Sequence, residues 1–489
     1  MRLTLPARVS MSAVLSFCAA LLAVELAEGS DIVLALATQT FVILAALAFN
    51  LCGGLLYPSG SCIFFLTVLT LGLGAILKAG LGEPLQSNLI DPKNTILAYT
   101  AGMASILIAA YFSTLLRSRR GLLERFDPGT RVQQMAAGCL LISIGIPLIL
   151  PANFKGTFAQ FSGNFAVFAI LLPVYQRVRQ TGGQRSFTLV ALIGWAYLTI
   201  YYGIILYSKQ GLFSPSLAWC LAAVAGGYRL SFPKFLSIAV AVGIAVTFLT
   251  PYSQTARNNR GQANEGALAL ELLEHPFRTR ELYNESLKQN YALGIDYHWF
   301  DQPQGLLDRL TSVPVDDALF YSTDHLRPGS PIVLWGYVLD MVPRYLYPDK
   351  PAGLLGNSYG REIGLLGNDD VTTSISFTPF ADAYHNAGWL GVTLYLGLLF
   401  FVMFYVCDSL AGSIGRAQWS LLYVMYFSHF ASEGFLSFTT YAISNVAAAL
   451  IGTTLILTYV APVIGGFILP GGARRQRPFA LAPYNRTSL

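Results

Sequence analysis

The stretch Phe380–Cys407 reads FADAYHNAGWLGVTLYLGLLFFVMFYVC. From Asn386 onward it is apolar and long enough for a membrane span, since the hydrocarbon core asks about 20 such residues of a helix. At and just ahead of that run stand an acid, a phenol, an imidazole and an amide: Asp382, Tyr384, His385 and Asn386. A lipid-length helix headed by four polar groups sets the fold class and marks where chemistry is to be sought.

The rest of the chain has the same character. Of its 489 residues 54% are hydrophobic and 12% charged, with mean hydropathy +0.53. A soluble domain carries about 25% charged residues. Twelve apolar runs reach or approach spanning length, at 11–27, 32–56, 61–77, 95–116, 132–150, 158–175, 187–207, 212–228, 233–250, 386–407, 418–436 and 442–466. The fold class is therefore an all-α polytopic membrane protein of about twelve spans. Its regions are a nine-span part (1–250), one long loop (251–385), and a three-span part with a basic tail (386–489).

Orientation follows from Lys and Arg. The basic segments are Arg2, Arg8, RSRRGLLERFDPGTR (117–131), QRVRQTGGQR (176–185) and ARRQRP (473–478). With twelve spans all of them fall on one side, so the positive-inside rule puts both termini in the cytoplasm and the long loop outside. The first run could instead be a cleaved signal peptide. Glu25 and Glu28 suit a cleavage region poorly, and the charge alternation works with the span kept. The six cysteines lie in or beside spans, and no CxxC or HExxH spacing marks a metal. Two glycosylation sequons, at Asn284 and Asn485, are short enough to arise by chance.

The loop is rich in apolar residues and is expected to fold against the membrane surface. EGALALELLEH (265–275) runs up to Pro276, and TRELYNESLKQNYAL (279–293) has helical spacing of Leu282, Leu287 and Tyr291. SPIVLWGYVLDM (330–341) is apolar but too short to span, and is expected to re-enter or lie in the interface. With 17 acidic and 10 basic residues, the loop is no surface for nucleic acid. Its cations cluster as Arg257 with Arg260, Arg278 with Arg280, and Arg344, Lys350 and Arg361 around PRYLYPDKP (343–351). Each is explicable as a salt bridge or headgroup contact. As a set they suggest a discrete anion at the lipid boundary. In YFSHFASEGF (426–435), His429 and Glu433 are spaced to share a helix face inside a span, where ionisable groups are costly and mark function. The plain alternative is a structural ion or a span ending near Glu433.

Two stretches carry a family resemblance. MVPRYLYPDKPAGLLGNSYGREIG (341–364) resembles a segment of Wzy-type oligosaccharide repeat-unit polymerases, and FADAYHNAGWLGV (380–392) is similar to that family's acid-x-Tyr-x-Asn-x-Gly-x-x-Gly segment. The acid here is Asp382, where Glu is more usual in the family. The resemblance implies a metal-independent glycosyltransferase without cofactor, acting on undecaprenyl-pyrophosphate-linked oligosaccharide at the periplasmic face of the bacterial inner membrane, in O-antigen or exopolysaccharide synthesis. A chain-length-regulating co-polymerase is an expected partner.

That chemistry asks for a base within hydrogen-bond reach of a sugar hydroxyl, which Asp382 or His385 would supply, and for cations on the departing diphosphate. Tyr384 and Asn386 are expected to bind sugar, His429 and Glu433 to assist, and the loop arginines to converge on Asp382. An O-antigen ligase, a lipid-linked oligosaccharide flippase and a scaffold for polysaccharide export are the rival readings.

Overall fold

Each of the twelve apolar runs lies on helix, as a chain immersed in lipid requires, because a helix pairs its own backbone groups. The computed structural model describes residues 1–118, 120–126, 131–149, 152–258, 265–293, 297–305, 307–326, 329, 336–339, 341–342, 347, 355–370 and 373–468. The first part of the chain forms α1 (Met11–Ala27), α2 (Ile32–Cys52), α3 (Pro58–Leu81), α4 (Pro92–Leu116), α5 (Val132–Ile149), α6 (Ala152–Gln180), α7 (Leu189–Ile205), α8 (Lys209–Gly226) and α9 (Phe232–Asn258). The long loop contributes α10 (Glu265–Glu274), α11 (Pro276–Leu293), α12 (Val313–His325) and α13 (Leu355–Glu362). The last part forms α14 (Pro379–Ala411), α15 (Ser420–Phe430), α16 (Ser437–Tyr459) and α17 (Ala461–Ile468). Among the described residues there is no β-strand beyond isolated bridges, Arg2 with Arg229 and Phe377 with Gly434.

Among the described residues six helices are long and apolar enough to cross a membrane: α2, α3, α4, α9, α14 and α16. The apolar stretches Met11–Ala27, Val132–Gly145 and Leu189–Ile205, on α1, α5 and α7, are shorter. The molecule is thus a helical membrane protein. Residue types at the helix starts explain their boundaries. Asp31 accepts from Val33 N and Leu34 N at the start of α2, and Asp91 accepts from Asn94 N with Pro92 in the first turn of α4. Thr378 does the same for α14, again followed by proline.

The membrane core is built around α4. It packs along α2 and α14, and Gly102 lets the ring of Phe380 close on it; a Cβ there would stand 2.5 Å from that ring. Tyr99, Phe320 and Phe380 form one aromatic nest, with Tyr99 5.3 Å from Phe380 and 6.1 Å from Phe320, centre to centre. Helix α9 differs, since its side chains from Phe232 to Gly243 are exposed on every face. It packs mainly through its C-terminal end, against α10 and α11.

The acid stands ahead of the tenth apolar run, as expected, but on a short helix of its own: Pro379–Asn386 carries Asp382 in its first turn and is set off from the membrane helix by non-helical backbone at Ala387 and Gly388. Two further expectations have other outcomes. The eleventh span ends at Phe430, and Glu433 falls in the turn after α15, so it does not share a helix face with His429. Glycine at 434 and the open chain around it stop the helix there. Of the apolar stretch 330–341, only 336–339 and Met341 are described, as a helical turn ahead of Met341.

Candidate functional site

The start of α14 is where the loop helices meet the membrane helices. Thr378 caps it and Pro379 fixes its first turn. The helix then breaks at Ala387 (φ −150°, ψ 18°) and Gly388 (φ 55°, ψ −141°), and the values at 388 are ones that glycine tolerates and a side chain resists. Three residues on, Gly391 lies against the Ala383 carbonyl so closely that a Cβ would come within 1.8 Å of its oxygen. The two glycines together make an elbow. A short polar helix, Pro379–Asn386, is folded against the membrane helix that follows, which hides its side chains.

Asp382 is 0% exposed. Among the described residues four donors surround its carboxylate. Tyr337 donates to Oδ2 at 2.5 Å and the Leu436 N–H at 2.7 Å; Tyr359 donates to Oδ1 at 3.0 Å and the Asn386 amide at 2.8 Å. Asn386 also donates to the Tyr359 hydroxyl at 3.1 Å. The Leu436 N–H reaches the carboxylate because Phe435 takes a left-handed conformation, φ 56°, unusual for a bulky residue. The Phe435 ring is held by Tyr359 and Phe377, 5.9 and 5.8 Å away. Strain there is sustained by a surround that over-determines it. Burial pushes both the Tyr359 and the Tyr337 hydroxyl well above the ordinary phenol range, the nearby Asp382 charge adding to it. Both therefore remain donors.

His385, 5% exposed, stands beside this cluster. Its Nδ1 is 2.9 Å from the Thr323 hydroxyl and its Nε2 is 3.6 Å from a Glu362 carboxylate oxygen. Ser322 donates to the other Glu362 oxygen at 2.7 Å. The Glu362 side chain retains 14% exposure, so this pair, unlike Asp382, has an open edge. Tyr384 is buried, its hydroxyl between Asn94 of α4, 3.1 Å, and Asp324 of α12, 3.0 Å.

Beneath the site α12 carries two adjacent buried acids. Asp316 accepts from Tyr99, from the Thr378 N–H at 3.1 Å and from the Thr378 hydroxyl; Asp317 accepts from Ile90 N, Asp91 N and Thr95. They tie α12 to the caps of both α14 and α4. Burial pushes the Asp316 carboxyl up to about 7 and that of Asp317 up to about 6.

The expected cations divide. Arg361 is half-buried on α13, two residues from Tyr359. Arg257 ends α9, while Arg278 and Arg280 are exposed on α11, with Arg278 3.7 Å from Glu271. Among the described residues the donors to Asp382 are two phenols, an amide and a backbone N–H, and Arg257, Arg278 and Arg280, on α9 and on the α11 that packs against it, are not among them. Arg260, Arg344 and Lys350 lie outside the described residues. His429 lines a separate cavity of about 490 Å³ between α6, α7, α8 and α15, with Tyr202, Gln210 and Ser428. Among the described residues no three His, Cys, Asp or Glu side chains gather as metal ligands.

Sequence reading missed Tyr337, Tyr359, Glu362, Thr323 and the Leu436 N–H. Tyr359 and Glu362 had a signal, being three apart on one helix face within the stretch 341–364. A backbone N–H donor has none.

The class defined by fold and site is a helical membrane protein with a buried polar elbow where the helices of segment 251–385 join the bundle. Comparison with protein-family models, with curated proteins and with solved structures found no match.

Proposed function

We propose that the chain polymerises lipid-linked oligosaccharide repeat units at the outer face of a bacterial inner membrane. The observation that carries this reading is the direct bonding of the two stretches that resemble Wzy-type polymerases. Tyr359 of the first holds Asp382 and Asn386 of the second, and Glu362 of the first faces His385 of the second. Segments separated by a stretch of unrelated sequence converge on one site, at the start of a membrane helix.

Topology supports the reading. The segments expected inside bond to one another: Leu3 to Tyr228, Leu55 to Pro6, Ile414 to Leu56, Arg229 to Gly183, and Ser413 to Glu124. Those expected outside do likewise: Leu85 to Ser30, Asn88 to Asp301, Asn94 to Asp324, and Leu436 to Asp382. Twelve crossings with both termini in the cytoplasm satisfy both sets.

In the reaction proposed, an acceptor sugar hydroxyl attacks the anomeric carbon of the growing glycan. The new C–O bond forms as the bond to the pyrophosphate breaks, the lipid pyrophosphate leaves, and the hydroxyl proton passes to a base. Asp382 has its acceptor sites filled, so its part is positioning. His385 and Glu362 form the proton-accepting pair, whose open edge is on Glu362. Arg361, on α13 two residues from Tyr359, is the cation assigned to the diphosphate, whose developing charge a guanidinium stabilises.

A deletion strain complemented with Asp382→Asn, His385→Ala or Glu362→Gln tests this. Each variant, present in the membrane at wild-type level, is expected to leave single repeat units in place of polymer. A flippase would leave repeats on the cytoplasmic face, and a ligase would leave finished polymer on its carrier. Normal polymer from Asp382→Asn would end the proposal, while normal polymer from both other variants would remove the base assignment.

A further inference from the structure

Glu25 and Glu28, which set the first apolar run apart from a signal peptide, have no part in the site above. Glu25 is on α1 and is 0% exposed; Gln39, opposite on α2, is 5% exposed. The Gln39 amide donates to Glu25 Oε2 at 2.8 Å. That bond leaves three buried oxygens without a hydrogen-bond partner: Glu25 Oε1, Gln39 Oε1 and, one helical turn along from Glu25, Glu28 Oε2.

No cation answers this charge. Helix α2 has no charged side chain, and its cap, Asp31, is bound to Val33 N and Leu34 N. Helix α3, which also packs on α1, has Lys78 as its one charged side chain. Lys78 is bound to Glu83 at 2.9 Å and to Ser87. On α1 itself the other titratable group is Cys18, a thiol. A buried carboxylate without a counter-charge is costly, and so is each buried acceptor left unfilled. One positive ion among the three oxygens removes both costs.

We infer that Glu25, Gln39 and Glu28 form a binding site for a single small monovalent cation, a proton or an alkali-metal ion. An alkali ion would take its oxygen ligands from Glu25 and Gln39, which meet across α1 and α2, with the Glu28 carboxylate one turn along adding negative charge; oxygen is the donor type that hard cations choose. A proton on Glu25 Oε1 would give Gln39 Oε1 a donor, the acid and amide pairing through two bonds. Bound charge holds α1 to α2, and the turn between them supports the loop that follows α3, through Ser30 to Leu85 and Gly29 to Gln86.

The test uses the full-length protein in detergent, with Tm followed by intrinsic fluorescence. Sodium replaces choline at constant ionic strength at pH 8; in a second arm the pH falls from 8 to 5 in choline alone. A site for the metal ion gives a wild-type Tm that rises with sodium, a proton site one that rises only with acid. Glu25→Gln, which keeps the shape but not the charge, is expected to lose that rise. Gln39→Leu, which removes one ligand oxygen, is expected to need roughly 10-fold more sodium or, at a proton site, to displace the acid response from that of wild type. Acid responses from elsewhere in the protein cancel in the difference from wild type. The inference falls if wild type responds to neither cation, or if Glu25→Gln keeps both responses. Should Glu25→Gln fail to fold, a wild-type response in Gln39→Leu overturns it.

Discussion

Asp382 is the residue on which the site turns, and its environment decides what a substitution there costs. Its carboxylate satisfies two phenols, an amide and a backbone N–H at once. Asparagine presents one acceptor oxygen in place of two and adds donors where donors already crowd. Asp382→Asn is therefore expected to lower stability by roughly 2–4 kcal/mol, each stranded buried donor costing about 1–3 kcal/mol. Tyr359→Phe strands less, because Asn386 also donates to Oδ1, and a loss of about 1–2 kcal/mol is expected. Unfolding in detergent measures both. If Asp382→Asn proves as stable as wild type, the four-donor cage is not what holds the elbow together. The acid itself was visible in the sequence, ahead of a span. Its partners were not, because Tyr337, Leu436 and Asp382 are distant in the chain and one of them contributes only backbone.

At the scale of the element, the elbow in α14 depends on backbone freedom at Gly388. Alanine at φ 55°, ψ −141° meets a conformation that costs a side chain about 1–3 kcal/mol. Gly388→Ala is expected to lose that much stability, and Gly391→Ala more, since its methyl would collide with the Ala383 carbonyl. Equal stability of Gly388→Ala and wild type would show that the kink is not required. Helix α12 makes the fold sensitive to pH. Burial raises the Asp316 and Asp317 carboxyls to about 7 and about 6, so between their unfolded value of ~4 and neutrality the folded chain holds more protons than the unfolded one. Stability contributed by this pair is then fully present near pH 4 and is lost as pH rises through 6 and 7. Tm should fall from pH 5 to pH 8, and Asp316→Asn should flatten that slope; an unchanged slope in the variant would assign the effect elsewhere.

Over the whole molecule the question is which loops share a side. Bonding gathers loops into two sets, and the proposal drawn from Lys and Arg is that the set holding Gln184 faces the cytoplasm. With exposed Cys220 replaced by serine, Gln302→Cys should react with an impermeant maleimide in intact spheroplasts, and Gln184→Cys only after permeabilisation. Reaction of Gln184→Cys in intact cells would reverse the topology.

Much of the architecture was present in composition and periodicity. Apolar runs became helices within a few residues, Pro276 separated α10 from α11, and acids and prolines set helix starts, because lipid leaves a chain no other way to pair its backbone. Pattern could not fix where the eleventh run would end, since a glycine stop and a continued span are alike in hydropathy. Nor could it decide which charges meet. Of the arginines singled out by their clustering, the described ones, Arg257, Arg278, Arg280 and Arg361, lie on α9, α11 and α13, while the described donors to the acid include two phenols. Helix formation is settled by neighbours along the chain and could be read from it. Hydrogen bonding to a buried carboxylate is settled by neighbours in space, and only the packing of α12, α13 and the turn after α15 around the head of α14 determined it.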